Sequence, residues 1–413
     1  MIDLNKKYWF YLYSSVYVTH RKGKMLLLNT ADGISIENTS GICIDLIKEV
    51  YDSCNLGVVA LTPKYLTNSD CLMFINLLLE NGMGNVREID GKQKPVNLLP
   101  ILNLQRDVDR LKKHEVDLKS ENLMKYLAEI NFFINNQCGR RCDNCSLYYK
   151  QTNACTACTV KCTDLSAEII DNILLQASAS STKCINMSGG NIATYLYWDK
   201  LLPILQKYDY DFHFWIQYLN LSDHPEWMEK MKGFKIELLI NFPVRENSLE
   251  DILLFYKNNN ITFHFLIENE NQFDLADRFI ERFDLKQINI IPIYTNQNLS
   301  FFEENIFLQK EDILIKTTHQ KIFCNQKLNS NFFGKLYVFP DGSVKANVNT
   351  AKIGNINDEK LLQIVFNEMN LNTAWRIVRD EEPCCNCLYQ YLCPPPSNYE
   401  KVMEKVNLCH VEI

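Results

Sequence analysis

The stretch EINFFINNQCGRRCDNC, residues 129–145, decides how this chain folds. It begins with an apolar run over residues 130–134 and continues into Cys138, Cys142 and Cys145, a Cx3Cx2C spacing. Three soft thiolate ligands on one short loop can hold three irons of a [4Fe-4S] cluster and leave the fourth iron open to a small molecule. The stretch therefore predicts a cluster that takes part in chemistry, with zinc as the alternative metal for any one cysteine group.

The composition favours metal chemistry over a disulfide framework. The chain has 413 residues and 16 Cys, its cysteines cluster in CxxC-type groups, and no apolar signal segment follows Met1. These features are typical of a protein of the reducing cytoplasm, where thiols and iron-sulfur clusters survive. A net charge of −7 without long Lys/Arg runs argues against a nucleic-acid partner. No apolar stretch reaches the ~18 residues that a membrane span needs.

Between Pro100 and Thr295, short β-rich runs alternate with amphipathic helical patterns, which predicts an α/β fold with a parallel sheet. The predicted strands cover residues 130–134, 183–187, 212–217, 235–241, 262–267 and 287–293, with helices over residues 165–178, 249–258 and 275–283. A doubly wound sheet would give the same alternation. His213 and His264 lie on predicted strands, and we expect them to be packed or hydrogen-bonded rather than catalytic.

These motifs resemble the signature of the radical S-adenosylmethionine (SAM) enzymes, in which Cx3Cx2C follows the first strand of a partial (β/α)6 barrel. The resemblance implies that residues 126–300 form this barrel. It also implies that Cys138, Cys142 and Cys145 hold an open-iron [4Fe-4S] cluster that binds SAM.

A second element of the family, Gly-Gly-Glu at the end of the second strand, has its counterpart in Ser188, Gly189, Gly190 and Asn191. The family's Glu pairs with the amino group of the methionine moiety. Asn191 keeps hydrogen bonding but gives up a charge-assisted contact, which is roughly twice as strong as a neutral one. Asn144 stands before the third cysteine, where the family commonly has an aromatic residue near the adenine, so the resemblance places it beside the cofactor as well.

The C-terminal part, residues 301–413, resembles the SPASM domain of peptide-modifying radical enzymes. Cys384, Cys387, Cys393 and Cys409 match the four ligands of one auxiliary [4Fe-4S] cluster of that domain, although four thiolates at this spacing could also hold zinc. A second auxiliary cluster would need cysteines where Asn347 and Ser397 stand, with Cys324 as a remaining remnant. We therefore expect one auxiliary cluster only. Cys385 is an additional cysteine, either a spare ligand or a buried thiol.

A third cysteine group, Cys155, Cys158 and Cys162, is not required by either family pattern. It could supply ligands to another cluster or to zinc, or it could consist of reduced thiols without a function.

Residues 1–90 form a separate pattern, in which residues 8–19 and 24–29 predict a β-hairpin and residues 41–53 and 69–81 predict helices. This arrangement resembles the winged-helix domains that bind leader peptides of ribosomally made precursors, and a leader would then add as a strand to an exposed sheet edge. A purely stabilising or dimerising domain is the alternative. Residues 91–125 are predicted to be a linker and a helix, since Asp90 to Pro95 is polar and rich in helix breakers.

The combined resemblance implies an enzyme that forms a 5′-deoxyadenosyl radical and crosslinks or epimerises a residue of a ribosomally synthesised precursor peptide. Such an enzyme needs an electron donor and can need a partner maturase. The alternative is an inactive protein, similar to the pseudo-radical-SAM proteins of Bacteroidales peptide clusters, which binds the precursor or a partner enzyme and uses its metal sites as struts.

Overall fold

A computed structural model describes residues 3, 6–91, 93–101, 110, 122–140, 142–152, 155, 163–255 and 261–412. Within these ranges the chain is a mixed α/β protein with one large, mostly parallel sheet and two small antiparallel sheets. The predicted α/β class is therefore confirmed. No helix in these ranges is both long and apolar enough to cross a membrane. Of the predicted linker and helix, residues 92, 102–109 and 111–121 lie outside the described residues.

The N-terminal unit contains two three-stranded sheets, with strand orders β5-β1-β6 and β2-β3-β4. Its strands are β1 (Tyr8–Leu12), β2 (Val16–Arg21), β3 (Lys24–Asn29), β4 (Ser35–Asn38), β5 (Val59–Leu61) and β6 (Gly84–Glu88). Its helices are Gly41–Tyr51, Pro63–Leu66 and Ser69–Glu80, and the first and third of these match the two predicted helices.

The predicted hairpin is wrong in its first arm. Residues 8–19 form two strands in different sheets, because a turn at Ser14 and Ser15 separates β1 from β2. Only β2 pairs with β3 as a hairpin, while β1 pairs with β5 and β6. Apolar periodicity is similar on both sides of the turn, so the pattern does not reveal that the chain changes sheets.

The large sheet has nine strands in the order β12-β11-β10-β9-β8-β7-β13-β14-β15. Their bounds are β7 (Glu129–Phe133), β8 (Cys184–Ser188), β9 (Asp211–Gln217), β10 (Lys235–Asn241), β11 (Ile261–Ile267), β12 (Ile288–Pro292), β13 (Lys335–Val338), β14 (Ser343–Lys345) and β15 (Gly354–Asn355). All six predicted strands are present, within one or two residues of their predicted ends. β13 also pairs in parallel with β7, so the sheet continues beyond the first six strands.

The six parallel strands β7 to β12 lie side by side in the order of the sequence. Because connections between parallel strands are right-handed, this order places the connecting helices on one face of the sheet. A doubly wound sheet would instead reverse direction at an internal strand. The doubly wound alternative is therefore wrong for these six strands, and the order reverses only with β13, which lies in parallel on the other side of β7. The connecting helices are Ala167–Ala177, Trp198–Leu205, Tyr218–Ser222, Pro225–Lys230, Glu246–Phe255 and Glu270–Phe283.

The two faces of this sheet differ in polarity. On β7, Ile130 and Phe132 are fully buried in the main hydrophobic core together with Ile170 and Leu174 of the first connecting helix. The alternate residues Glu129 and Asn131 point to the opposite face, because successive side chains of a strand alternate. The parallel strands thus have an apolar face against the helices and a face that carries polar groups.

The C-terminal part adds helices and irregular segments to the sheet, and it contacts the N-terminal unit. Its helices are Leu299–Asn305, Lys310–Ile313, His319–Lys327, Leu361–Leu371 and Asn398–Met403. Leu26 of β3 packs in one cluster with Leu388 and Tyr389. Glu37 of β4 forms an ion pair with Lys310 at 2.6 Å and accepts a hydrogen bond from the Tyr389 hydroxyl.

Candidate functional site

The three cysteines of the Cx3Cx2C motif lie together at the carboxyl end of β7. Their loop connects the strand to a short helix, Cys145–Gln151. Burial raises the pKa of the Cys142 thiol, and interaction with the Cys138 and Cys145 thiols raises it further. The fold therefore brings the three thiols close enough to interact electrostatically.

The spacing of these thiols bears on the metal that they could hold. Within the described ranges, no three His, Cys, Asp or Glu side chains converge on one ion position. Which metal the loop holds stays a prediction from the cysteine spacing.

Backbone hydrogen bonds hold the Gly-Gly motif against the start of the cysteine loop. The Gly190 N–H donates to the Asn135 carbonyl at 3.0 Å, and the Asn191 N–H donates to the Gln137 carbonyl at 2.5 Å. A Cβ atom on Gly190 would lie 2.2 Å from the Gln137 carbonyl oxygen. Glycine is needed here because the two loops approach each other more closely than a side chain allows.

We expect Gly190→Ala to disrupt the cysteine loop. The added methyl group must displace the Gln137 carbonyl, and such overpacking typically costs about 1–3 kcal/mol. The same variant should bind less iron after anaerobic reconstitution. Gly139→Ala is the matched control in the same loop, because a Cβ there would meet no atom within 4 Å. Equal iron content in the two variants would contradict this reading.

The side chains of the 188–191 motif are engaged within the protein. The Ser188 side chain is fully buried, and its hydroxyl donates to the Phe132 carbonyl at 3.3 Å. The Asn191 side chain accepts a hydrogen bond from the Ala193 N–H at 3.2 Å and so caps a short 3-10 helix, Ile192–Thr194. Asn191 thus lies just after the carboxyl end of β8, and its side-chain oxygen already accepts a hydrogen bond from the protein.

Asn144 contacts a carboxylate that the sequence reasoning missed. Its side-chain amide lies 3.4 Å from Glu268 Oε1, and the Tyr148 hydroxyl donates to the same oxygen. Glu268 directly follows β11, at the carboxyl end where the cysteine loop also lies. A search for polar residues directly after each predicted strand would have found Glu268.

A buried polar cluster lies on the polar face of the sheet. Glu237 accepts from His213 at 2.5 Å through one oxygen and from His264 at 2.6 Å through the other. Burial alone raises the pKa of Glu237, but the two histidine contacts outweigh it and lower the pKa to about 2. The hydrogen bond to Glu237 raises the pKa of His213. The expectation that both histidines are hydrogen-bonded is confirmed.

The four cysteines assigned to the auxiliary cluster line one small cavity, which we call the auxiliary site: Cys384, Cys387, Cys393 and Cys409. The first three are 6–8% exposed. Burial raises the pKa of each of these three thiols, to about 12 for Cys393. The chain thus gathers four thiols separated by up to 25 positions (409 − 384) around one space.

Hydrogen-bond donors point at two of these sulfurs. The Tyr389 N–H lies 3.4 Å from Cys387 Sγ, and the Asn407 amide lies 3.1 Å from Cys409 Sγ. Burial raises the pKa of the Cys384 thiol, and the positive charge of Arg379 acts in the opposite direction. A thiol is a weak acceptor, whereas a metal-bound thiolate is stabilised by such donors, and they tune iron-sulfur centres. The donor pattern fits a metal cluster on these four residues.

The positions of the second auxiliary cluster hold hydrogen-bonded polar side chains. Asn347 is fully buried, and its amide donates to Asn398 Oδ1 at 2.8 Å. Ser397 caps helix Asn398–Met403 through reciprocal hydrogen bonds with Glu400. Cys324 lies on helix His319–Lys327 and is partly exposed. These contacts are compatible with the predicted loss of that cluster.

The third cysteine group is only partly described. Cys155 is partly exposed, whereas Cys158 and Cys162 lie outside the described residues. Its role stays a prediction.

Comparison with known proteins gives similarity to solved structures only. No known family profile matches the sequence, and no curated protein matches it. Streptococcus suis SuiB bound to S-adenosylmethionine is similar at 12% identity and a TM-score of 0.41, over 98% of this chain and 99% of SuiB. SuiB bound to its precursor peptide SuiA is similar at 12% identity and a TM-score of 0.43, with the same coverage. These values are too low to assign a fold or a function to this chain.

Proposed function

We propose that this protein is a radical SAM enzyme that modifies a ribosomally synthesised precursor peptide by crosslinking or epimerisation. The observation that carries the proposal is the cysteine loop at the carboxyl end of the first of six consecutive parallel strands. Backbone hydrogen bonds to Gly190 and Asn191 at the end of the second strand hold this loop in place. Loops at the carboxyl ends of parallel strands are where such folds place their chemistry.

Cys138, Cys142 and Cys145 would hold the open-iron cluster, and Asn191 and Asn144 would lie beside SAM. Cluster and SAM, when bound, supply the one-electron chemistry that generates a hydrogen-abstracting radical. The protein positions this loop by further contacts. Gln151, at the end of the loop helix, exchanges two hydrogen bonds with the Tyr294 backbone at 2.8 and 2.9 Å.

Two partners belong to the proposal, a precursor peptide and an electron donor. In the N-terminal unit β6 is an edge strand of its sheet, and Asn85, Arg87 and Glu88 on it are exposed. An extended leader peptide could add to this edge, since an unpaired strand edge offers backbone donors and acceptors.

A second candidate function follows from Asn191. Its side chain lacks the charge that the family uses to bind the methionine amino group, and its oxygen caps the helix Ile192–Thr194. A protein that has given up SAM turnover and binds the precursor peptide or a partner enzyme would tolerate both features.

The substitution Asn191→Glu distinguishes the two candidates. If Asn191 faces the methionine amino group, the carboxylate should strengthen SAM binding by about tenfold, because a charged partner adds about 1 kcal/mol or more to a hydrogen bond. Equilibrium binding of SAM to the reconstituted protein measures this. Asn191→Gln has the same length without the charge and should leave the affinity unchanged. An affinity that is flat or lower in Asn191→Glu would favour the scaffold function.

A further inference from the structure

We propose that the buried ion pair of Arg379 and Glu400 sets the reduction potential of the auxiliary site, with Arg379 raising the potential and Glu400 lowering it. The proposal rests on the proposed function, since it requires an iron-sulfur cluster on the four cysteines of the auxiliary site. It concerns two residues that no motif assigns.

Arg379 places a positive charge beside the four cysteines. Its guanidinium lines the same cavity as the four cysteines. Its side chain is 8% exposed. Nε donates to the Pro394 carbonyl at 2.5 Å, directly after Cys393, and Nη2 donates to Glu400 at 2.6 Å. These contacts fix a permanent positive charge at the wall of the auxiliary site.

Glu400 lies on the other side of the guanidinium. Its side chain is 6% exposed, and one oxygen accepts from Arg379 while the other accepts from the Ser397 N–H at 2.8 Å. It lines a neighbouring cleft together with Arg379 and Cys384, but it does not line the cavity that all four cysteines share. The negative charge of the pair is therefore further from the cluster position than the positive charge.

This order of charges has a predictable electrostatic effect. One-electron reduction adds one negative charge to an iron-sulfur cluster, so a nearby cation favours the reduced form and a nearby anion opposes it. Both effects are large here because the groups are buried in a low-dielectric environment. The pair should hold the auxiliary site at a higher potential than the cysteines alone would, which suits a centre that accepts an electron.

The test is an EPR-monitored redox titration of the full chain in which Cys138, Cys142 and Cys145 are replaced by alanine, so that the auxiliary signal is observed separately. In this background Arg379→Gln should lower the potential and Glu400→Gln should raise it. For Arg379→Gln we expect the equilibrium constant for reduction of the cluster to fall about tenfold. This lowers the potential by about 59 mV for a one-electron couple. Arg379→Lys retains the charge and should stay closer to the parent protein.

The opposite signs distinguish tuning from a structural role. A structural role would lower the iron content in both variants and move both potentials in the same direction, which would overturn the inference. Arg282→Gln is the control, because Arg282 pairs with Glu246 and Glu250 on exposed helices. The reduction potential of the auxiliary site in Arg282→Gln should equal that in the parent protein. If the auxiliary site contains iron and neither substitution changes its potential, this inference alone is wrong. If the site contains zinc or no metal, the auxiliary cluster of the proposed function is wrong as well.

Discussion

Cys142→Ala is expected to reduce the formation of 5′-deoxyadenosine from SAM to background. In the proposed function Cys142 would be the middle ligand of the loop, between Cys138 and Cys145, so its loss would leave two thiols for the cluster. Two ligands on a partly exposed loop do not hold a [4Fe-4S] cluster, which takes three or four. The measurement is deoxyadenosine by chromatography after anaerobic incubation with SAM and a strong reductant.

Cys54→Ala is the matched control for this variant. Cys54 is exposed in the N-terminal unit, and its removal should change neither iron content nor turnover. Cys142→Ala should also keep the iron of the auxiliary site, so its total iron should fall without reaching zero. Turnover that survives in Cys142→Ala would remove the cysteine loop from the mechanism.

Glu237→Ala should cause the largest loss of folding stability among these variants. Glu237 is 6% exposed and is the shared acceptor of His213 and His264. Removing one partner of a buried charged network typically costs about 3–5 kcal/mol, because the remaining groups stay buried without it. The control is Glu226→Ala, which breaks an exposed pair with His224 at 3.0 Å and should destabilise the fold far less. Urea unfolding of the reconstituted proteins compares the two.

The cost of Glu237→Ala should depend on pH in a defined direction. The pKa of Glu237 is lowered from 4.5, so its contribution is present above pH 4.5 and is lost as the pH falls toward 2. The pKa of His213 is raised from 6.5, so its contribution is complete below pH 6.5 and is lost as the pH rises through the raised value. The difference in the free energy of unfolding between the parent and Glu237→Ala should be largest between pH 4.5 and 6.5. A difference that does not change with pH would contradict the charged network.

The sequence predicts the parallel sheet well because each strand is a short apolar run between turn residues. The segment after Glu129 is an example, since its apolar residues end just before the cysteine loop. Strand order is not visible in such runs, so only the structure distinguishes a singly wound sheet from a doubly wound one. The N-terminal hairpin failed for the same reason, because β1 and β2 have similar patterns and belong to different sheets.

The sequence likewise predicts some residues of the candidate sites and misses others. The resemblance to the SPASM cysteine pattern grouped the four residues that line the auxiliary site. Arg379 and Glu400 are separated by 21 positions and have no spacing rule, so only the fold shows that they meet beside Cys384. Glu268 likewise reaches Asn144 across 124 positions. Contacts between polar side chains that are distant in the sequence depend on the tertiary packing, which the local sequence does not show.

The most direct test of the proposed function is anaerobic reconstitution of the full chain with iron and sulfide, followed by EPR with and without SAM and an assay for 5′-deoxyadenosine. The proposal predicts two iron-sulfur signals, one of which changes when SAM is added, together with deoxyadenosine formation under strong reductant. Bound iron whose signal ignores SAM, with no deoxyadenosine formed, would contradict the enzyme and leave the scaffold function in its place.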